Sequence, residues 1–564
     1  METSERLVET LEALEVDRAF GYPGGRVIEL FDRLPESTVD LVRPRDEREA
    51  SVMAEVHGRL TGEPGVLLGQ GPWIGSLGLM GQMEARLASS PLVTITEASE
   101  RGDYSTLAPY QQARGDYGGL SLPKILDAVT KEYWFPRTPT ETVRSLQLAF
   151  KHAVAGRPGP TAVILDGNAV TADLPDDPVP PVWDDRAQTR TWTARPTARD
   201  VAAAVEALSA ADRPVVVAGN GVHAAGAYDD LAAVAEAYGA AVVTSYLGKS
   251  TIPETHRLAA GVIGSFGHEG ANQVVSAADV LLVVGCRLNP MDTNWTAPTF
   301  IRPDEQTIVH ADVDARNAGW VYPADVGLVG DAAESLADLA AAGGNDTDWG
   351  AERAAAARAD FSAPECDSEA SPVTPQRAVK EIERVVDADT VVTADSGNNR
   401  FWLLNYLQTP ATRTYFGSGG VGGMGWANPA AVSAALTGVE NVVAVAGDGG
   451  FAMTMTSVET AVEEGVAPTF VVLNDRSLGM VRQMQSEPGD IAGVDFPDTD
   501  FAAVARAFGA DGVRVDTPER LGDALREAKR SSTPTVVDVA IDPDQDMAAT
   551  LQSSFYASVG GLHE

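Results

Sequence analysis

Lysine is scarce in this 564-residue chain. Of 42 basic residues only six are lysines (Lys124, Lys131, Lys151, Lys249, Lys380 and Lys529), and 80 acidic residues leave a net charge of −38. A surface this acidic repels phosphate backbones and anionic headgroups, which argues against nucleic acid and anionic membranes as partners. The charge is spread along the chain, as in proteins of salt-loving organisms, where concentrated salt screens self-repulsion. Cysteine is nearly absent. Cys286 and Cys366 stand far apart, in no metal spacing, which points to a reducing cytoplasm and no disulfide framework. No apolar run approaches the roughly 18 residues that a membrane span needs. The polar start Met1-Glu-Thr-Ser-Glu-Arg6 has no signal-peptide pattern.

What is present is alternation. Helix-like Ala/Glu/Arg segments alternate with short Val/Ile/Ala runs, the signature of parallel α/β domains. Two stretches read as linkers: 172–196, with Leu174-Pro-Asp-Asp-Pro-Val-Pro-Pro181, and 343–375, rich in Gly, Asp, Ala and Ser and partly helical in pattern. They divide the chain into blocks 1–171, 197–342 and 376–564.

The most informative motif lies in the third block. Gly447-Asp448-Gly449 ends the apolar run Asn441-Val-Val-Ala-Val-Ala446, and Asn474-Asp475 closes another, Pro468-Thr-Phe-Val-Val-Leu473. Both runs read as buried parallel strands. Met455 to Gly465 between them reads as one helix. Strand–helix–strand brings both strand ends to one sheet edge, where α/β folds bind ligands. There Asp448 and Asp475 can share one hard cation, while Gly449 and Gly450 let backbone N–H groups approach a phosphate. A lone Gly-Asp-Gly is usually a turn, and an Asp after a strand is often a helix cap. The spacing and the flanking strands favour the cation site.

Gly447-Asp448-Gly449 with Leu473-Asn474-Asp475 resembles the diphosphate and metal motif of thiamine diphosphate (ThDP) enzymes, with Asp475 where a second Asn is usual. Leu478-Gly-Met-Val-Arg-Gln483 is similar to the acetolactate synthase large subunit, and the likeness runs from Leu7 to about Asp544. It implies a pyrimidine-binding domain (1–171), a middle domain (197–342) and a diphosphate-binding domain (376–564), all parallel-sheet α/β. It also implies a cofactor spanning two subunits, so that a homodimer is the smallest active unit and a homotetramer or a regulatory subunit is compatible. Mg²⁺ would be held by Asp448, Asp475 and Ser477, and the diphosphate by Gly397, Asn398, Asn399, Gly447, Gly449 and Gly450. In Asp395-Ser-Gly-Asn-Asn399 the two Asn replace the family's Gln and His.

Other segments extend the resemblance. Phe20-Gly-Tyr-Pro-Gly-Gly25 matches a family glycine turn that opens a helix from Val27, placing Gly25 near the reactive carbon. Arg45-Asp46-Glu47 stands where the family reads Arg-His-Glu, which makes Glu47 the carboxyl that drives the pyrimidine tautomer needed for proton removal at C2. Such transfer requires direct hydrogen-bond contact. Glu49 is out of register for that role. Gly422 would accept from N4′ of the pyrimidine, Met424 would force the bent cofactor conformation, and Met453 would lie beside the ring. Tyr110-Gln111-Gln112 resembles Phe-Gln-Glu and makes Gln111 a catalytic candidate. Lys131 and Arg157-Pro-Gly-Pro160 also fit.

Departures concern the substrate. Arg26 stands where acetolactate synthases carry Ala and is a candidate for binding a substrate anion; a surface arginine is the plain alternative. Trp73 would reshape the cavity or fill a core. Glu97-Ala98 replaces Gly-Gln, Met484 replaces the usual Trp, and Ser553 to His563 lacks the family ending. Arg287 stands where these synthases keep an arginine near flavin and substrate, and the middle domain is left with FAD or without it. The resemblance implies decarboxylation of a 2-oxo acid with carboligation, as in branched-chain amino acid biosynthesis. The alternatives are a decarboxylase of the benzoylformate type and a catalytically silent binding protein.

Overall fold

A computed structural model describes residues 1–175, 181–184, 193–485, 493–545 and 547. Part of the expected linker 172–196 and the Ser553–His563 ending lie outside the described residues. By contact the chain divides into two compact units. One comprises Met1–Trp192 with Gly420–Gly438 and Thr454–Gly465. The other comprises Thr193–Gly419, Val439–Met453 and Val466–Glu564.

The first unit holds β1 (Arg18–Tyr22), β2 (Asp40–Val42), β3 (Gly65–Gly69), β4 (Leu92–Glu97), β5 (Glu132–Trp134) and β6 (Pro160–Leu165), in the order β2-β1-β3-β4-β6-β5. The second unit holds two sheets. One contains β7 (Pro214–Ala218), β8 (Ala241–Thr244), β9 (Ala259–Val262), β10 (Val280–Val284), β11 (Thr307–Asp312) and β12 (Val326–Val329), in the order β12-β11-β10-β7-β8-β9. The other contains β13 (Thr390–Ala394), β14 (Tyr415–Gly417), β15 (Asn441–Gly447), β16 (Thr469–Asn474), β17 (Asp511–Val515) and β18 (Thr535–Ala540), in the order β14-β13-β15-β16-β18-β17. Neighbouring strands in all three sheets are parallel. Buried on both faces, they carry continuous runs such as Val215-Val216-Val217 rather than alternating patterns.

Each sheet has one switch point, where the chain leaves neighbouring strands in opposite directions: between β1 and β3, between β7 and β10, and between β13 and β15. Loops at such points form ligand crevices. In the second unit one core spans both sheets. Phe266 stacks on Phe401 with ring centroids 4.0 Å apart, and Val262 joins Val443 and Val537 in the same cluster.

The expected helix from Met455 to Gly465 differs. A helix runs already over Asp448–Met453, turns through 454–456, and resumes over Ser457–Glu463. Glycine disfavours helix interiors, which hid the first segment in the sequence. Gly449 and Gly450 instead occupy its first turn, where N–H groups have no intrahelical carbonyl to bond. No helix among the described residues is long and apolar enough to cross a membrane.

Candidate active site

In the second unit, the loops after β13, β15 and β16 converge. Asp448 opens its helix at the end of β15 and is 3% exposed; its Oδ1 accepts from the Gly449 N–H at 2.8 Å. Asp475 follows β16 and accepts from the Ser477 N–H at 3.1 Å. Burial raises the pKa of both carboxyls. Asp448, with Asp475 as a second cause, is pushed up to about 7. A buried and a half-buried carboxyl side by side resist double ionisation until a cation joins them. Asn474 turns the other way, donating to Asp538 Oδ1 at 2.9 Å, which secures β16 against β18.

Gly397, Asn398 and Asn399 open the helix Asn398–Tyr406 after β13. Here the two Asn divide. Asn399 donates to the carbonyls of Asp395 and Val445, at 2.9 and 3.3 Å, and ties the ends of β13 and β15 together. Asn398 donates to Gln483 at 3.2 Å, while its buried Oδ1 has no partner among the described residues. Met453 ends its helix half exposed, and Met484, closing the helix Gly479–Met484, is 52% exposed. At the middle sheet's switch point, Gly219–Gly221 packs on Gly285: a Cβ on Gly221 would lie 2.5 Å from the Gly285 Cα. Arg287 follows, half-buried, and its charge opposes the burial that raises Asp292 to about 7.

In the first unit, Glu47 begins the helix Glu47–Thr61, capped by Asp46, which accepts from the Glu49 N–H at 2.9 Å. Glu47 is 6% exposed, and burial raises its pKa. The Gly69 position lies 3.7 Å from its Cγ, measured from an added Cβ. Glu49 faces inward, accepting from Thr456 Oγ1 at 2.6 Å, and burial pushes it up to about 7. Gly25, at φ +54°, sits at the β1–β3 switch point, where a Cβ would fall 2.5 Å from Glu97 Oε1 and 2.9 Å from Gln70 Cγ. Only glycine fits this conformation and this space. Gly422, at φ +74°, and Met424 lie in a loop of the same unit, both half-buried.

The remaining candidates are placed less centrally. The Arg26 guanidinium is taken up by Glu100 and by Glu29 at 3.3 Å, which leaves less of it for a substrate anion. Trp73 is 44% exposed, so it is not core filler. Gln111 sits at φ +51°, and its carbonyl accepts from Ser99 Oγ at 3.2 Å. Gln112 is the buried one, held on the Ser105 carbonyl at 2.5 Å.

Residues 1–118, 201–339 and 395–539 match the N-terminal TPP binding domain, the central domain and the C-terminal TPP binding domain described for thiamine pyrophosphate enzymes. The chain belongs to the thiamine pyrophosphate enzyme family. Full-length relatives agree. A probable acetolactate synthase large subunit of Methanocaldococcus jannaschii is 31% identical, over 96% of this chain and 92% of the relative. The acetolactate synthase large subunit of Corynebacterium glutamicum is 32% identical over 96% and 87%. The acetolactate synthase isozyme 3 large subunit of Escherichia coli is 30% identical over 96% and 94%.

The residues of this thiamine pyrophosphate enzyme fit a cation-bridged diphosphate. Asp448 and Asp475 offer hard oxygens, and the Asn398 amide, whose Oδ1 has no partner among the described residues, lies near Asp475: a Cβ on Gly479 would meet Asp475 Oδ2 at 2.4 Å and Asn398 Nδ2 at 3.3 Å. Mg²⁺ is typically held by one or two carboxylates and substrate phosphates. Sequence reasoning gave no role to Glu97 or Gln70, which wall the Gly25 cradle. A charged residue ending the six-residue apolar strand β4 was the available signal for Glu97.

Proposed function

We propose that this chain is the catalytic chain of an acetolactate synthase-like carboligase that decarboxylates one 2-oxo acid and joins the remainder to a second. The observation that carries this reading is the buried Asp448 beside the half-buried Asp475, at the ends of β15 and β16, in a chain matched over 96% of its length by acetolactate synthase large subunits. ThDP, when bound, supplies a nucleophilic carbon for the keto group and a cationic ring that takes up the electrons left by departing CO₂. Asp448 and Asp475, with Ser477 beside them, would hold Mg²⁺ and through it the diphosphate. The Gly450 N–H would donate to a phosphate oxygen, and Gly449, whose N–H Asp448 Oδ1 now holds, would let the phosphate approach the backbone. Glu47, kept protonated over a wider pH range by its burial, would exchange a proton with the pyrimidine nitrogen facing it. The Gly422 carbonyl would accept from the amino group, Met424 would support the bent conformation, and Gly25 would leave room for the reacting carbon. Arg287, Trp73 and Met484 would bound the substrate. A homodimer completes the proposal, joined by a regulatory subunit, a reading supported by the name large subunit that the relatives carry.

The test is turnover by the full chain in concentrated KCl with ThDP, Mg²⁺ and pyruvate, following CO₂ and acetolactate together. Acetolactate formation is the expected result. CO₂ without acetolactate assigns a simple decarboxylase, the reading favoured by Trp73, Ala98 and Met484. Neither product with ThDP bound overturns pyruvate as the substrate. FAD titration in the same assay reads the middle domain: activity that requires FAD assigns it a flavin site, and full activity without FAD leaves that sheet a structural module. Light scattering reads the oligomeric state.

A further inference from the structure

In the first unit, Arg101 stands four residues after β4, Arg137 three after β5, and Asp166 directly after β6. The strands are parallel, so all three lie at the C-terminal edge of the sheet, where α/β folds bind ligands. Arg114 joins them from the loop that precedes the helix Leu122–Val129. The result is a knot of positive charge in a chain of net charge −38.

Three guanidiniums meet one carboxylate oxygen. Asp166 Oδ2 accepts from Arg101 Nε at 3.0 Å and from Arg114 Nη2 at 3.1 Å, and Arg137 Nη1 stands 3.7 Å away, beyond hydrogen-bond length. Asp166 Oδ1 accepts from the Asn168 N–H at 3.1 Å. Asp166 and Arg114 are buried, and Arg114 also donates to the Ser99 carbonyl at 3.2 Å. This inner pair is complete: each charge has its counter-charge and its hydrogen bonds. Arg101 and Arg137 are surplus to it, with side chains 51% and 45% exposed. Three guanidiniums against one carboxylate leave two positive charges in excess. Burial and the charges of Arg101 and Arg114 lower the Arg137 pKa. The Arg137 guanidinium lies 3.7 Å from the Phe135 ring centroid, which fixes its plane. Glu141, nearby in sequence, is held on the Arg137 and Thr138 backbone N–H groups at 2.9 and 3.2 Å.

The loops that carry the cluster are tied together. The Arg101 N–H donates to Asn168 Oδ1 at 2.6 Å, and the Gly167 N–H donates to the Ser99 carbonyl at 3.1 Å. The cluster also borders the Gly25 cradle: Glu97, which ends β4, walls that cradle, and Glu100, beside Arg101, takes up Arg26. A planar guanidinium fork matches the two oxygens of a carboxylate. The acidic surface repels polyanions, which favours a small anion as the ligand.

We propose that Arg101 and Arg137, backed by the Arg114–Asp166 pair, form an oxyanion site that takes the carboxylate of the 2-oxo acid as it approaches the Gly25 cradle. The 2-oxo acid rests on the function proposed above, whereas the oxyanion site stands on the arginine geometry alone.

The experiment titrates full-length wild type, Arg101→Gln, Arg137→Gln and the double variant with pyruvate, calorimetrically, without ThDP or Mg²⁺ and at one fixed KCl concentration. Inorganic phosphate and methyl pyruvate serve as competitors, and light scattering reads the assembly state. Wild type is expected to bind pyruvate, with phosphate competing and the uncharged ester not. Each single variant is expected to weaken pyruvate binding about tenfold, the scale of one charge-assisted hydrogen bond, and the double variant more. Should the double variant fail to fold, the single variants decide. Wild-type affinity in the variants overturns the site, as does a wild type that binds neither anion. Phosphate binding without pyruvate binding overturns the carboxylate assignment. Weaker binding together with a changed assembly state would place these arginines against a second copy of the chain and overturn the proposal. Pyruvate bound through the arginines, with neither product in the ThDP turnover assay, overturns the carboligase reading and leaves the oxyanion site standing.

Discussion

At the residue scale, neighbouring carboxyls on one helix are separated by their partners. Glu47 lies beside Gly69 with its carboxyl buried, whereas Glu49 spends its charge on Thr456. Glu47→Gln is expected to lower turnover on the order of a hundredfold to ten-thousandfold, the usual scale of a proton-transfer group, while leaving ThDP binding intact. Steady-state kinetics and a binding titration check this, and unchanged turnover would remove Glu47 from the mechanism. Glu49 carries a different prediction. Its folded pKa is raised from 4.5 to about 7 by burial. An acid raised on folding stabilises fully below its unfolded pKa, and the contribution is lost as pH rises through the folded one. Stability should therefore fall between pH 4.5 and about 7, by up to about 3 kcal/mol from this group. Glu49→Gln should flatten that slope in urea unfolding measured across the range.

At the element scale, what links strands and loops is buried polar chemistry rather than propensity. In the second unit Lys249, wholly buried, donates to Glu254 at 2.6 and 2.7 Å. Glu254 in turn accepts from the Thr409 N–H at 2.9 Å and its hydroxyl at 3.1 Å. This joins the segment after β8 to the one before β14. Lys249→Ala would strand a buried carboxylate, at a cost of about 3–5 kcal/mol. The expected outcome is a lower denaturant midpoint with an unchanged slope. A cost within experimental error would mean that water or a neighbouring cation replaces the lysine. The Asn398 and Asn399 loop teaches the same lesson: of two adjacent identical residues, Asn399 ties the ends of β13 and β15 together, while Asn398 donates to Gln483 and keeps a buried oxygen without a partner among the described residues.

At the scale of the whole molecule, the net charge of −38 acts on every packed surface. At 1 M salt the Debye length is about 3 Å, so self-repulsion between exposed carboxylates is largely removed. Tm is expected to rise by several degrees from dilute buffer to concentrated KCl. An uncharged osmolyte matched for osmolality separates screening from general exclusion. An equal rise in both solutions would refute charge repulsion as the cause. Six lysines leave arginine to make most ion pairs, as in the Arg45 bridges to Glu459 and Glu463 at 2.8 Å.

Much of this protein is legible in one dimension. Apolar runs ending in glycine or a carboxylate mark parallel strands and their ligand-facing ends, because a strand buried on both faces needs continuous Val, Ile and Ala. That local rule yields the run ending at Gly447, the one ending at Asn474, and the α/β class. Spacing alone places Asp448 and Asp475 at one sheet edge. The tertiary structure decides partners. Arg26 meets Glu100, Asn474 meets Asp538, and Glu84 meets Gly420 across 336 positions. A hydrogen bond is directional and short, so which of several similar side chains makes it depends on contacts far apart in sequence. Composition and periodicity describe what a segment can become, and burial against distant elements selects which carboxyl titrates high, which asparagine stays open and which loop is held.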